Sequence, residues 1–271
     1  MTETYSGELS EDTKRALLWI FDAAAGWQAR TEGRADDVHA GSSLWKDDEV
    51  TSPYLMSHSV RGALVSAVDH LNAFRALVQD AHVVHPRATL TLLRAALENA
   101  ALAVWLLAPA NRNERVLRRL RLQWADFRDG DYASRLFEDE PTPRLEARQA
   151  ELVAIARKRG LTDDQVALVA ARPVPFSSIV RAATRESRFL QLDERTAMFC
   201  WMATSGVAHA RQWAGMSPAL QRLKVPGAPD GSQGLVLSAS DKMLTMAAGA
   251  ATVMTAKGWR LLDDRRTRQL I

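Results

Sequence analysis

A single cysteine, Cys200, stands among 271 residues. One thiol forms no disulfide within a chain and no cysteine-based zinc site. It sits in the apolar stretch Met198 to Met202, where a thiol is expected to be buried and inert. Long hydrophobic runs are lacking too. The longest, Ala100 to Ala108, falls far short of the roughly 20 apolar residues a membrane-spanning helix needs. Excess charge of one sign is also small, +3 over the whole chain. Any nucleic-acid affinity must then come from local clusters of cations. The first residues, Met1 to Asp12, are polar and acidic, unlike a signal peptide. The expected address is the cytoplasm, with no membrane partner.

Strand signals are nearly absent: no good alternating run, and no Asn-Gly or Asp-Gly turn flanked by β-branched residues. The chain carries no Gly-x-Gly-x-x-Gly, no P-loop, no His-Glu-x-x-His and no Glu-x-x-His. Nucleotide binding through those loops and a ferritin-like di-iron site are therefore not expected. Asp36-Asp37-Val38-His39 and Asp69-His70 would hold a metal only with distant help, so no metal and no cofactor are expected.

Helix signals recur instead. Ser52-Pro53 and Thr142-Pro143 each pair a capping hydroxyl with a proline suited to the first helical position. Asn111 to Glu114 and Thr162 to Gln165 have the spacing of capping boxes. The pattern predicts helices over about 11–29, 53–81, 86–108, 112–127, 143–159, 163–171, 178–185, 193–214 and 240–262. Loops are expected over 30–52 and 215–237, and a basic tail over 265–271. From Ala95 onward the 86–108 segment is apolar on every face except at Glu98 and Asn99, and a helix apolar all round is a buried one. The fold class is therefore all-α: a single-domain bundle of about eight or nine helices around a central helix at about 86–108.

Polar residues that meet this core are the candidate functional groups. Arg94 and Glu98 lie four apart on the central helix and share a face. A carboxylate in a core needs a partner. Glu98 is either a desolvated general acid or base with Arg94 as an anion binder, or half of a structural ion pair. Ser205 and His209, also four apart, lie on a helix of small apolar residues, so His209 is expected to point inward. It is either a catalytic or ligand-contacting group or a satisfied core histidine. Arg112, Arg115, Arg118 and Arg119 fall within about a third of a helix circumference. They form either a phosphate-binding stripe or the solvated face of an amphipathic helix. Trp105, Trp124, Trp201 and Trp213, four of eight tryptophans, lie on core-forming helices. They either line an apolar pocket, with Trp105 and Trp201 as its walls, or are ordinary core residues.

Three stretches together carry a resemblance. Arg94-Ala95-Ala96-Leu97-Glu98, then Trp105-Leu106-Leu107-Ala108-Pro109 with the arginine helix after it, then Ser205-x-x-x-His209, resemble a group of uncharacterised actinobacterial helical proteins. That group shares an Arg-Ala-x-Leu-Glu, Trp-Leu-Leu-x-Pro, Ser-x-x-x-His pattern. The likeness covers roughly Ala67 to Arg128 and Ala197 to Trp213, and the group brings no established activity. More distantly the chain is similar to HEPN-type bundles, many of them dimeric RNases of toxin–antitoxin and defence systems with an Arg-x(4–6)-His motif. Arg34 to His39 and Arg75 to His82 fit that spacing.

Three functional expectations follow. One is an HEPN-like, RNA-associated protein or metal-independent RNase, with the arginine stripe (Arg112, Arg115, Arg119) on phosphates, His209 or His82 for chemistry, and a homodimer by analogy. Another is a small-molecule-binding protein or non-metal enzyme with its pocket between 86–108 and 193–214. Its polar groups would be Arg94, Glu98, Ser205 and His209. The last is a structural or interaction bundle without catalysis.

Overall fold

The computed structural model describes residues 9–33, 37–137, 144–186, 192–216, 220–225 and 234–267. In chain order its elements are α1 (Glu11–Glu32), α2 (Ser43–Thr51), α3 (Met56–Arg75), a π-helical turn (Ala76–Asp80), α4 (Ala88–Leu107), α5 (Arg112–Ser134), α6 (Arg144–Arg159), α7 (Asp163–Val169), α8 (Phe176–Arg185), α9 (Glu194–Ala208), α10 (Gln212–Gly215), strands β1 (Leu220–Val225) and β2 (Gly234–Ala239), and α11 (Asp241–Arg266).

The apolar segment expected at the centre is α4, and α3, α5, α8, α9 and α11 all pack on it. Leu90, Leu93, Leu97, Val104, Leu106 and Leu107 are buried, as are Ala96, Ala100 and Ala103 between them. Small residues let neighbouring backbones approach. On the facing side Gly258 of α11 does the same: a Cβ there would stand 2.6 Å from Leu64 Cδ2 of α3. By length and composition α4 could cross a membrane, but its surface is largely taken up by these helices. A smaller second core joins α5, α6 and α7 through Leu120, Trp124, Leu152, Ala156 and Val166. The architecture is thus an all-α bundle in one domain around a buried central helix.

The last carbonyls of α4 have no partners within the helix; two arginines supply them, and a third binds the turn that follows. Arg118 Nη1 donates to Trp105 O at 2.7 Å, and Arg265 Nε to Leu107 O at 3.1 Å. Arg115 Nη1 donates to Pro109 O and Ala110 O at 2.8 and 2.9 Å. Cations there also complement the negative end of the helix dipole. Asp47 of α2 anchors this cluster. Its fully buried carboxylate accepts from Arg115 Nε at 2.7 Å and from Arg112 Nε at 3.0 Å.

The helix count is eleven among the described residues, because two segments divide differently from expectation. The loop expected over 30–52 contains α2, started by Ser42, whose hydroxyl accepts from Trp45 N at 3.1 Å. α2 buries Leu44, Asp47 and Thr51. The helix expected over 193–214 breaks after Ala208 into α9 and α10. Ser52 closes α2 instead of capping the next helix, and the Ser52–Pro53 peptide is cis. α3 starts at Met56, where Asp48 from α2 accepts from Ser57 N at 2.9 Å. The loop expected over 215–237 holds the antiparallel hairpin β1–β2, Leu220 opposite Ala239. The basic tail begins inside α11, which runs to Arg266; 268–271 lie outside the described residues, as does the Thr142-Pro143 cap.

Thr162 and Gln165 form the expected capping box. Asn111 caps α5 through Asn113 N at 2.8 Å, whereas Glu114 turns to Arg118.

Candidate functional site

The end of α9 is shaped by its exit turn. Ala210 takes a left-handed φ of 51°. Arg211 N then reaches back to Gly206 O at 2.8 Å, and Ala210 N to Val207 O at 3.1 Å. These two bonds are the Schellman closure of a helix C-terminus. The turn sets His209 and Arg211 on either side of Ala210 and folds α10 back against α9. Gly206 makes that return fit. A Cβ there would stand 2.7 Å from both Ala214 Cβ and Trp213 Cζ2.

Between α9 and α10 lies an open cleft of about 220 Å³, lined by Trp201, Met202, Ser205, Gly206, His209, Arg211 and Trp213. Met202 and Trp213 are 50% and 49% exposed. Residues of that size usually keep such area from water, and a concentrated apolar patch marks a contact site. Arg211 is exposed, and among the described residues no hydrogen bond or ion pair engages its guanidinium.

Behind the cleft stands a chain of side chains from α4. Trp201 Nε1 donates to Glu98 Oε1 at 2.7 Å, and Arg94 Nε donates to the same oxygen at 3.0 Å. Arg94 Nη1 lies 3.3 Å from His209 Nε2. Arginine has donors only, so in this contact Nε2 is the acceptor and Nδ1 is left to donate. One carboxylate thus fixes the indole directly and the imidazole through a guanidinium. Glu98 and Arg94 are 13% and 22% exposed at their side chains, so their attraction is screened less than at an open surface.

Arg94, Glu98, Trp201 and His209 come together, but the pocket expected between 86–108 and 193–214 needs three corrections. The cleft lies between α9 and α10, and no residue of α4 lines it. The cleft is open, and His209 is an exposed helix cap rather than an inward group, because α9 ends at Ala208. Ser205 lines the cleft beside it. Trp105 does not; it is buried on α4 with the Arg118 guanidinium 5.2 Å from its ring centre. Trp213 takes the place expected of Trp105. Arg211 was hidden from sequence reading because it was assigned to an unbroken helix; Trp213 was a candidate pocket aromatic, but without the break that turns it back over α9.

The arginine helix does not present an exposed stripe. Arg115 is 1% exposed and Arg119 5%. Arg119 donates to Leu55 O at 3.3 Å and Gln123 Oε1 at 2.7 Å, and desolvation holds its pKa below the usual arginine value. Arg118 pairs with Glu114 and Glu186. These positions meet protein acceptors because α5 packs on α2, α4 and a second core, where a solvated face was expected. His82 and His39 are exposed and far along the chain from this cluster; Arg75 bonds Asp80 at 3.2 Å, and Arg34 lies outside the described residues.

A second depression, about 230 Å³ between α5 and α6, is lined by Asp126, Phe127, Asp131, Arg135 and Arg148 among others. Arg135 there pairs with Asp131 at 2.9 Å, and Arg148 lies over the Phe127 ring at 4.5 Å. No group of three His, Cys, Asp or Glu side chains able to hold a metal occurs among the described residues. Comparison with protein-family models, curated proteins and solved structures finds no match.

Proposed function

We propose that this is a cytoplasmic small-molecule-binding protein whose site is the α9–α10 cleft. One observation carries the reading. Donors at Arg211, His209 and Ser205 face the same space as the indole of Trp213, and Glu98 and Arg94 brace Trp201 and His209 from behind. Concave sites with aromatic walls and a few convergent polar groups are the ordinary form of a ligand site. Holding an indole and an imidazole in advance removes ordering cost from binding. Binding is favoured over acid–base catalysis at Glu98, because its Oε1 already accepts two donors and the carboxylate does not line the cleft. An RNA-directed role is less well supported, since Arg115 and Arg119 are buried against protein acceptors.

The test is a fragment screen by ligand-observed NMR, repeated on Trp213→Ala. Half of Trp213 is exposed, so its loss is expected to leave the fold intact, which a thermal melt of the variant checks. Fragments that bind the wild type and not the variant support the cleft. Binding indifferent to Trp213, or RNA cleavage by the purified protein lost on His209→Ala, would overturn it.

A further inference from the structure

We infer that the cleft takes a small, flat organic anion: one ring bearing one acid group. This rests on the cleft being the ligand site, and it goes further by fixing the ligand's charge, shape and size.

Charge comes first. One cation lines the cleft and another stands behind it, and they differ. Arg94 is already matched by Glu98 at 3.0 Å, so it brings no net charge. Arg211 lies on the cleft wall with no acidic partner among the described residues. A guanidinium offers paired parallel N–H donors that fit a carboxylate or phosphate edge. His209 adds a ring N–H. Because Arg94 occupies Nε2, the proton on Nδ1 is the one free to bond. The Ser205 hydroxyl lines the same wall and can donate as well. Every polar group facing the cleft can thus donate, and no acidic side chain lines it. A ligand rich in acceptors is what that set matches.

Shape follows from the walls. Trp201 and Trp213 contribute indoles and Met202 a thioether, all of which favour a planar ring by stacking or by sulfur contact. The Trp201 indole cannot turn away without losing its 2.7 Å bond to Glu98. Size follows from volume. The cleft of about 220 Å³ is smaller than the roughly 300–1,000 Å³ of sites for drug-sized ligands, which suits a single ring with a short acidic substituent.

The experiment uses the full chain with three probes: benzoate, its neutral isostere benzamide, and acetate, which has the charge without the ring. Binding is followed by the indole N–H resonances, in the wild type and in Arg211→Gln. Arg211 is exposed and engages no other side chain among the described residues, so the variant folds normally. Benzoate is expected to shift the Trp201 and Trp213 signals saturably. Benzamide, acetate and the Arg211→Gln variant are each expected to bind about 10- to 100-fold more weakly, the worth of a charge-assisted hydrogen bond or of a buried ring. Benzamide binding as tightly as benzoate, or benzoate indifferent to Arg211→Gln, overturns the anion and leaves the cleft reading intact. If all three probes fail while other fragments need Trp213, the anion is again overturned. If no fragment of any kind reaches the cleft, the proposed function falls with it.

Discussion

Ala210 occupies a backbone conformation that costs an L-residue about 1–2 kcal/mol, yet the geometry of the cleft depends on it. Its left-handed turn lets Arg211 N close α9 on Gly206 O and brings Trp213 back over the helix. Glycine adopts that conformation without a Cβ penalty. Ala210→Gly is therefore expected to raise stability by about 0.5–1 kcal/mol, after the entropy glycine adds to the unfolded chain. Urea unfolding measures it, and ligand binding should be unchanged because His209 and Arg211 keep their places. A loss of stability would mean that the turn is not left-handed at 210. At the same scale, Gly206 leaves no room for a methyl group. Gly206→Ala would place its Cβ 2.7 Å from the Trp213 ring. It is expected to cost about 1–3 kcal/mol and, more tellingly, to move the Trp213 indole N–H resonance even where the fold survives.

At the scale of elements, α2 does more than its nine residues suggest. Asp47 holds Arg115 and Arg112, Arg115 holds the carbonyls of the turn that follows α4, and Asp48 caps α3. Removing one partner of a buried charge pair typically costs about 3–5 kcal/mol, because the other charge stays buried and unmatched. Asp47→Ala is expected to fall in that range by chemical denaturation, whereas Asp12→Ala, an exposed partner of Arg15, should change stability by no more than about 0.5 kcal/mol. Equal effects would mean that Asp47 is not the anchor. This helix also shows where sequence reading stops. The central helix was legible because its apolar residues cover every face, and Thr162 with Gln165 announced their capping box locally. α2 was not legible. Its short run mixes Lys46, Asp47, Asp48 and Glu49 with few apolar residues, and its inward acid is explained only by arginines far along the chain. The same holds for the site. Arg94 and Glu98 were visible as an i, i+4 pair, but Trp201 and His209 joined them through tertiary contact. Arg211 and Trp213 depended on a helix break with no glycine or proline to mark it.

Over the whole molecule, burial leaves an acid–base signature. Desolvation by burial pushes the Cys200 thiol from 9.0 to about 11, with Asp193 adding to it. Burial, then the Glu151 carboxylate that accepts its hydroxyl proton, raises Tyr54 from 10.0 to about 12. Both groups keep their protons in the folded chain at a pH where the unfolded chain has released them. The unfolded state then binds fewer protons than the native one, so stability falls as pH rises. The contribution is complete below about pH 9 and is lost between about 9 and 12. Lys257 works the other way: desolvation, then Arg260, holds its pKa below 10.5, so the folded state sheds that proton first and gains stability as pH rises toward 10.5. Two groups against one leave a net loss. Arginines stay protonated throughout this range and contribute no slope. The urea midpoint of the wild type is thus expected to drop steadily from pH 9 to 11, and Cys200→Ala with Tyr54→Phe should flatten the profile while leaving its plateau near neutral pH in place. A double variant whose midpoint falls as steeply as the wild type's would assign the alkaline loss to groups other than Cys200 and Tyr54.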